Sequence, residues 1–416
     1  MTVTFWKRIA VAALAALLPA SAVAAPSHAE IEAQYRVWLD KDLWPEAQKA
    51  GVPRAVFDRA FAGVTINWKL PDLVVPGEKP SGPQEQKQAE FGAPGKYFNA
   101  KTMAMVTDGG RARYRRYGDL LKRIEKRYGV PGEIALAIWG RESGFGTVKI
   151  PYNAFEVLGT KAYLSTRKDM FRKELVAALQ IVARGYIDAG SMKSSWAGAL
   201  GQPQFMPTIY LKDAVDFDGD GKRDIWSSTP DTLASIASYL KERGWQGGRS
   251  WGYEVRLPQG VSCSLEGPDQ GKPLAEWRRL GVTRADGKPF PAAEEKGQSF
   301  LVTPAGRFGP AFVVSPNFYV LKDYNMSDLY ALFIGHVGDR IAAGAGDFRG
   351  AWGDVGGMYR SDIAAMQKRL QAQGYDVGKT DGLPGFKTRR SIGLWQAKNG
   401  QPATCFPQPA LLRQIR

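Results

Sequence analysis

The sequence predicts a mainly α-helical protein carrying a small β-rich insert and a separate C-terminal unit. Three observations carry this. Apolar residues recur at helical spacing in most segments between residues 30 and 343, period-two alternation is confined to residues 253–314, and residues 344–357 (GAGDFRGAWGDVGG) are glycine-rich without a hydrophobic period. The last feature reads as a linker, and residues 358–416 beyond it are near the lower size limit of a unit that folds alone.

Taken in order, residues 1–25 place Lys7 and Arg8 before an apolar run from Ile9 to Leu18 and a small-residue Ala22-Val23-Ala24 pattern. That is the layout of a cleaved signal peptide, too short to span a bilayer; the competing reading is an uncleaved N-terminal anchor. No cysteine follows the run to take a lipid. The expectation is therefore a periplasmic protein with no stable membrane anchor. Residues 30–62 put Tyr35, Trp38 and Leu39, then Val56, Phe57, Ala60 and Phe61, at helical spacing. Leu70 to Gly95 is broken by Gly and Pro and reads as an extended strap. Residues 110–128 predict a basic amphipathic helix over a core stripe that includes Tyr114, Tyr117, Leu121 and Tyr128. The next helix starts after Val130-Pro131 and ends near Glu142, where Gly144 and Gly146 supply the stop. Further helices are expected over 168–188, 230–243 and 327–343, with strands in YEVRLP, SFLVTP and AFVVS.

The 416 residues carry a net charge of +15, which falls to +13 once Lys7 and Arg8 are removed. Such a balance favours an anionic partner. Export and the lack of a Lys/Arg block argue against nucleic acid. Cys263 and Cys405 either form a disulfide or remain two isolated thiols. With only His28 and His336 present, a His-rich zinc or iron centre is excluded.

Chemistry enters at LAIWGRESGFGT, residues 136–147, where Glu142 ends an apolar helix and opens into a glycine turn. A carboxyl group beside apolar side chains is poorly solvated as an anion, so it holds its proton near neutrality and can act as a general acid. The bland alternative is a solvated helix-end Glu. A second segment, SSWAGALGQPQFMPTIY at 194–210, sets Trp196, Gln202, Gln204, Phe205 and Tyr210 among Gly and Pro. A rigid loop presenting amides and aromatic faces suits sugars and N-acetyl groups, whereas an ordinary turn would not require two amides within three residues.

GRESGFG, then SWAGALGQPQFMPTIY, then NFYVLKDYNMSDLYALFIGHVGDRI, in this order between about residue 30 and residue 343, resemble the lytic murein transglycosylase B family, glycoside hydrolase family 103. The resemblance implies a lysozyme-like helical catalytic core over residues 26–343 with an extended glycan groove. Glu142 falls on the position of its single catalytic acid and base. Ser195 and Gln204 fall on groove positions near the scissile bond and the N-acetyl groups, and Tyr324, Asn325 and Tyr330 on further groove positions. Capping of the following helix by Asn325 or Ser327 can coexist with such contacts. Hydrolysis by paired acids needs two carboxylates, and GRESGFG and SWAGALGQPQFMPTIY contain one between them. The family's reaction manages with one, cleaving the MurNAc-GlcNAc β-1,4 bond of peptidoglycan to leave 1,6-anhydro-MurNAc ends without a catalytic cofactor. A hydrolytic muramidase and a non-catalytic wall-binding scaffold are the alternatives. The implied partner is the peptidoglycan glycan strand.

DFDGDGKRDIWSSTPD, residues 216–231, resembles an EF-hand calcium loop, with Asp216, Asp218 and Asp220 at alternate positions, Gly221 at the turn and the Lys222 carbonyl next. Position twelve is Ser227 rather than Glu. In the resembled family the loop is closed by a later aspartate, here Asp231, with Asp224 contributing directly or through water. A structural Ca2+ is the expectation, against a solvated Asp/Gly turn. Residues 358–416 resemble the type 1 peptidoglycan-binding domain, a three-helix module that holds an enzyme on an insoluble substrate. Tyr375, Phe386, Leu394 and Trp395 are expected in its core.

Overall fold

The structure is a computed structural model describing residues 25–77 and 89–416, so the expected signal segment lies outside it except for its last residue. The chain opens with α1 (His28–Trp38), started by a capping box in which Ser27 and Glu30 satisfy each other's backbone N–H groups. One π turn (Leu39–Leu43) joins it to α2 (Trp44–Lys49), and α3 (Arg54–Phe61) follows the Gly51-Val52-Pro53 break. Then come α4 (Ala89–Gly92), α5 (Ala100–Arg116), α6 (Gly118–Tyr128) and α7 (Gly132–Ser143). The strand β1 (Tyr152–Asn153) pairs with β2 (Lys193–Ser194) across α8 (Ala154–Leu164) and α9 (Lys168–Ala183). α10 (Pro207–Asp213) and α11 (Thr229–Glu242) complete this half.

α7 is the centre of the core. Every residue from Ile134 to Gly140 is buried, so the helix has no solvent face; α5, α11 and the later α14 (Asp328–Ala343) pack around it. The expected helix over 110–128 is two helices broken at Tyr117. The first begins ten residues earlier, because Gly109-Gly110 is not a break. A Cβ at Gly109 would lie 2.4 Å from Phe145 and one at Gly110 2.3 Å from Ile341, so these glycines let α5 approach the core. The helix expected over 168–188 stops at Ala183, ahead of the left-handed Gly185.

The insert is a five-stranded antiparallel sheet in the order β4 (Lys272–Pro273), β6 (Gln298–Val302), β7 (Ala311–Val314), β3 (Gly252–Arg256), β5 (Thr283–Arg284). A short helix, α12 (Leu274–Arg279), lies over it, and Trp277, Leu301 and Val313 fill its own small core. α13 (Pro316–Asn325) then leads into α14, capped by Ser327, whose hydroxyl accepts from the Tyr330 N–H at 3.1 Å.

The C-terminal helices are α15 (Arg360–Ala372), α16 (Phe386–Lys398) and α17 (Pro409–Gln414), packed on Met366, Leu370, Ile392 and Trp395. Leu394 departs from expectation: it points outward, 46 % exposed, while Trp395 is buried. Residues 344–357 have no regular structure, yet they are pinned. Trp352 stacks on Phe98 at 5.2 Å and Val355 is buried with Phe406. Cys263 of the insert and Cys405 are joined in a disulfide, which resolves the alternative left open by the sequence. Among the described residues no helix is long and apolar enough to cross a membrane.

Candidate active site

Three left-handed residues in a row, Gly144, Phe145 and Gly146, end α7 and set Glu142 in its last turn. A left-handed Phe is strained by about 1 kcal/mol or more. Its ring is held by Trp139 at 5.5 Å and by the Arg113 guanidinium at 4.1 Å, and Gly140 leaves the space it needs. The strain is thus offset by packing, and the turn stays rigid next to the carboxylate.

Glu142 accepts a 2.6 Å hydrogen bond from the Tyr330 hydroxyl on α14. Burial raises its pKa to about 7, against the lowering effects of that hydrogen bond and of Arg141. The group is therefore divided between acid and carboxylate near neutrality, as a proton donor that must later accept requires. Tyr330 is itself wholly buried, which differs from the groove position expected for it: it braces Glu142. Its ring stacks on Tyr324 at 6.0 Å, Tyr324 packs on Tyr239 at 4.7 Å, and the Tyr324 hydroxyl donates to the Pro203 carbonyl at 2.7 Å. Tyr324 thereby ties α13 to the 194–210 segment, with no hydroxyl hydrogen left over. Asn325 is exposed at the end of α13.

A cavity of about 270 Å³ opens on Glu142, lined also by Val148, Ile150, Tyr152, Ser195, Trp196 and Gln204. The structure thus brings Glu142, Ser195 and Gln204 to one cavity. Gln204 is left-handed (φ 56°), and its amide donates to the Gly201 carbonyl at 2.9 Å. The other amide of the pair, Gln202, is structural: it accepts from the Trp139 indole and donates to the Trp226 carbonyl, both at 2.7 Å. Val148, Ile150 and Tyr152 lie outside the motifs read from sequence; their signal is the VKIPY run that starts two residues after the glycine turn. Among the described residues lining this cavity Glu142 is the one carboxylate. Replacing Tyr330 by Phe removes a donor to the anion, so the Glu142 pKa rises. The alkaline limb of the pH–rate profile is expected to move upward, and an unmoved limb would refute the coupling.

In the aspartate loop, one carboxylate oxygen from each of Asp216, Asp218, Asp220 and Asp231 lies within 4.8 Å of the others. That span is about twice a calcium–oxygen bond of about 2.4 Å, and hard oxygen donors suit such an ion. The residues fit it. Asp231, at the start of α11, also accepts from the Phe217 and Asp224 N–H groups, which folds the loop back on itself. The Asp224 carboxylate caps the Trp226 and Ser227 N–H groups and stands outside this cluster. Lys222 gives its N–H to Asp220 at 2.8 Å.

Comparison with known proteins follows the same division of the chain. The family model described as transglycosylase SLT domain matches residues 34–339, and that of a peptidoglycan binding domain matches residues 359–415. SltB3 from Pseudomonas aeruginosa, solved in complex with NAG-anhNAM-pentapeptide, is similar at 39 % identity and TM-score 0.82, over 92 % of this chain and 99 % of that one. The Escherichia coli lytic transglycosylase Slt35 in complex with calcium is similar at 28 % identity and TM-score 0.52, over 62 % and 80 %. Membrane-bound lytic murein transglycosylase B of Escherichia coli K12 is 30 % identical over 235 residues, 55 % of this chain. The chain spans 62 % of that relative's length.

Proposed function

The chain belongs to the transglycosylase SLT domain family, and from that premise we propose that it is a lytic transglycosylase acting on the glycan strands of peptidoglycan in the periplasm. The observation that carries this reading is a single carboxyl group, Glu142, held by the Tyr330 hydroxyl at the wall of an open cavity that has no second acid among its described lining residues. Two-carboxylate hydrolysis has nothing to work with there.

In the proposed reaction the Glu142 O–H gives its proton to the glycosidic oxygen leaving N-acetylmuramic acid as the C1–O bond breaks. The substrate's own 2-acetamido oxygen bonds to C1. Glu142, now a carboxylate, takes the proton from the C6 hydroxyl as O6 attacks C1 and displaces the acetamido oxygen. The product carries a 1,6-anhydro ring, Glu142 recovers its proton, and no water is consumed. Tyr330 steadies the carboxylate phase through its hydrogen bond, while burial favours the acid phase; their opposition keeps the pKa near the working pH. Ser195, Gln204 and Asn325 are the polar groups proposed to meet the glycan. That SltB3 was solved with an anhydro-muramoyl peptide supports this product class. The C-terminal module is proposed to keep the enzyme on the wall, raising local substrate concentration.

Mass spectrometry of the fragments released from purified peptidoglycan tests the reading. Fragments lighter by one water than hydrolytic ones are expected; reducing ends would mean a muramidase, and binding without release a scaffold.

Asp216, Asp218, Asp220 and Asp231 are proposed to hold a calcium ion, whose contribution there is charge neutralisation of the loop and not catalysis. Calcium at about a hundred times its dissociation constant should stabilise the fold by about 2.7 kcal/mol. Thermal unfolding with and without calcium checks this, with Asp218→Asn losing the response. An unchanged midpoint in the unsubstituted protein would refute the site.

A further inference from the structure

Trp196 is 47 % exposed and lines the same cavity as Glu142. Its loop is held on both sides. Ser194 pairs with Tyr152 and bridges to Leu200, and Leu200 bridges to Phe205. The indole is also held by Lys161 of α8, whose side chain is wholly buried. The Lys161 ammonium lies 5.1 Å from the centroid of Trp196 and 5.3 Å from that of Phe171, and donates to the Pro71 carbonyl at 3.1 Å. Its hydrogen-bond acceptor is that carbonyl, and the carboxylate that acts on it electrostatically is Asp72.

A buried ammonium is costly, and burial pulls its pKa down. A packing role alone is met more cheaply by Met or Leu of similar volume. What the charge adds at this place is a directed attraction to two rings, one buried and one left open at the cavity. Fixing the indole before substrate arrives removes its ordering cost from binding. A chair-form N-acetylhexosamine has an apolar face of axial C–H groups matched to such a surface, and the Gln204 amide in the same cavity suits the polar substituents. We propose that Trp196 is the platform on which a pyranose ring of the glycan stacks beside the scissile bond, and that Lys161 is the positioning residue that fixes the indole for it. This rests on the glycan-cleaving reading above.

The test is steady-state turnover of soluble uncrosslinked glycan strands by the full chain. Trp196→Ala should raise KM about tenfold, with a smaller effect on kcat, and Trp196→Phe should fall between. Lys161→Met should raise KM toward the Trp196→Ala value, and Lys161→Arg, which keeps a cation at the ring, should recover most of it. The Lys161→Met/Trp196→Ala double variant should be no worse than Trp196→Ala alone, because the lysine acts through the indole. A normal KM in Trp196→Ala overturns the platform; additive effects in the double variant overturn the positioning role. Trp196 is exposed, so its variant reports even where Lys161→Met fails to fold. Quenching of tryptophan fluorescence in Glu142→Gln by an N-acetylglucosamine tetramer separates the two readings. Trp196-dependent quenching without turnover by the unsubstituted protein would overturn the function and keep the platform, while turnover without that quenching would do the reverse.

Discussion

Glu142→Gln is expected to lose about 10³-fold or more of turnover while keeping its fold, because Gln preserves the volume and still accepts the Tyr330 hydrogen bond. Stability gives an independent reading of the same group. The folded-state pKa, about 7, stands above the ordinary carboxylate value of 4.5. Between those values the native protein keeps a proton that the unfolded chain gives up, so Glu142 lowers stability increasingly from pH 4.5 to pH 7 and by a constant amount above that. Glu142→Gln should therefore match the unsubstituted protein near pH 4 and exceed it at pH 8, by at most about 3 kcal/mol. Denaturant melts at the two pH values check this. A difference that does not change with pH would mean that the carboxyl is ordinary, and a variant that still turns over would remove Glu142 from the mechanism.

Part of this site could be read from sequence because each motif is continuous along the chain, while the resemblance alone joined the distant motifs of Glu142, Ser195 and Gln204. The apolar run into Glu142 and the stop at Gly144 fix a helix end by local rules, and the alternate aspartates fix a loop the same way. Pairings across the chain left no such trace. Nothing near Tyr330 says that its hydroxyl meets a carboxylate 188 residues earlier; the resemblance sets it in the groove, and the structure buries it against the acid. Loop composition does not separate Gln202 from Gln204, and only the resemblance singles out Gln204; Gln202 is buried in the Trp139–Trp226 bridge and Gln204 borders the cavity. Gly109-Gly110 shows the same limit for helices. Glycine lowers helix propensity, but here close approach of Phe145 and Ile341 decides. The glycine-rich 344–357 segment has linker composition, and the aromatic residues within it are what pin it down.

That pinned segment runs into the C-terminal module, which a buried ionic cluster and a disulfide hold. Arg389 of α16 is 1 % exposed and forms a two-pronged pair with Glu266 of the insert, at 2.6 and 3.1 Å, and reaches Asp328 of α14 at 3.1 Å. Glu266 also accepts from the Thr303 N–H and hydroxyl, and Asp328 pairs with Lys322 at 2.7 Å. Burial alone would raise the Asp328 pKa, but Lys322 and Arg389 hold it below the usual carboxylate range. Removing the arginine leaves two buried carboxylates with one cation between them, so Arg389→Met should cost about 3–5 kcal/mol. The Cys263–Cys405 bridge closes a loop of 142 residues, for which chain entropy sets a ceiling of about 5 kcal/mol. Each attachment keeps the other's partners at high effective concentration. Either change alone should therefore lower the melting midpoint and leave the module docked. Both together should free it, read as new protease cleavage within residues 344–357. Cleavage there after loss of the disulfide alone would mean that the buried ionic cluster contributes nothing to docking, and that the module is held by its covalent bond.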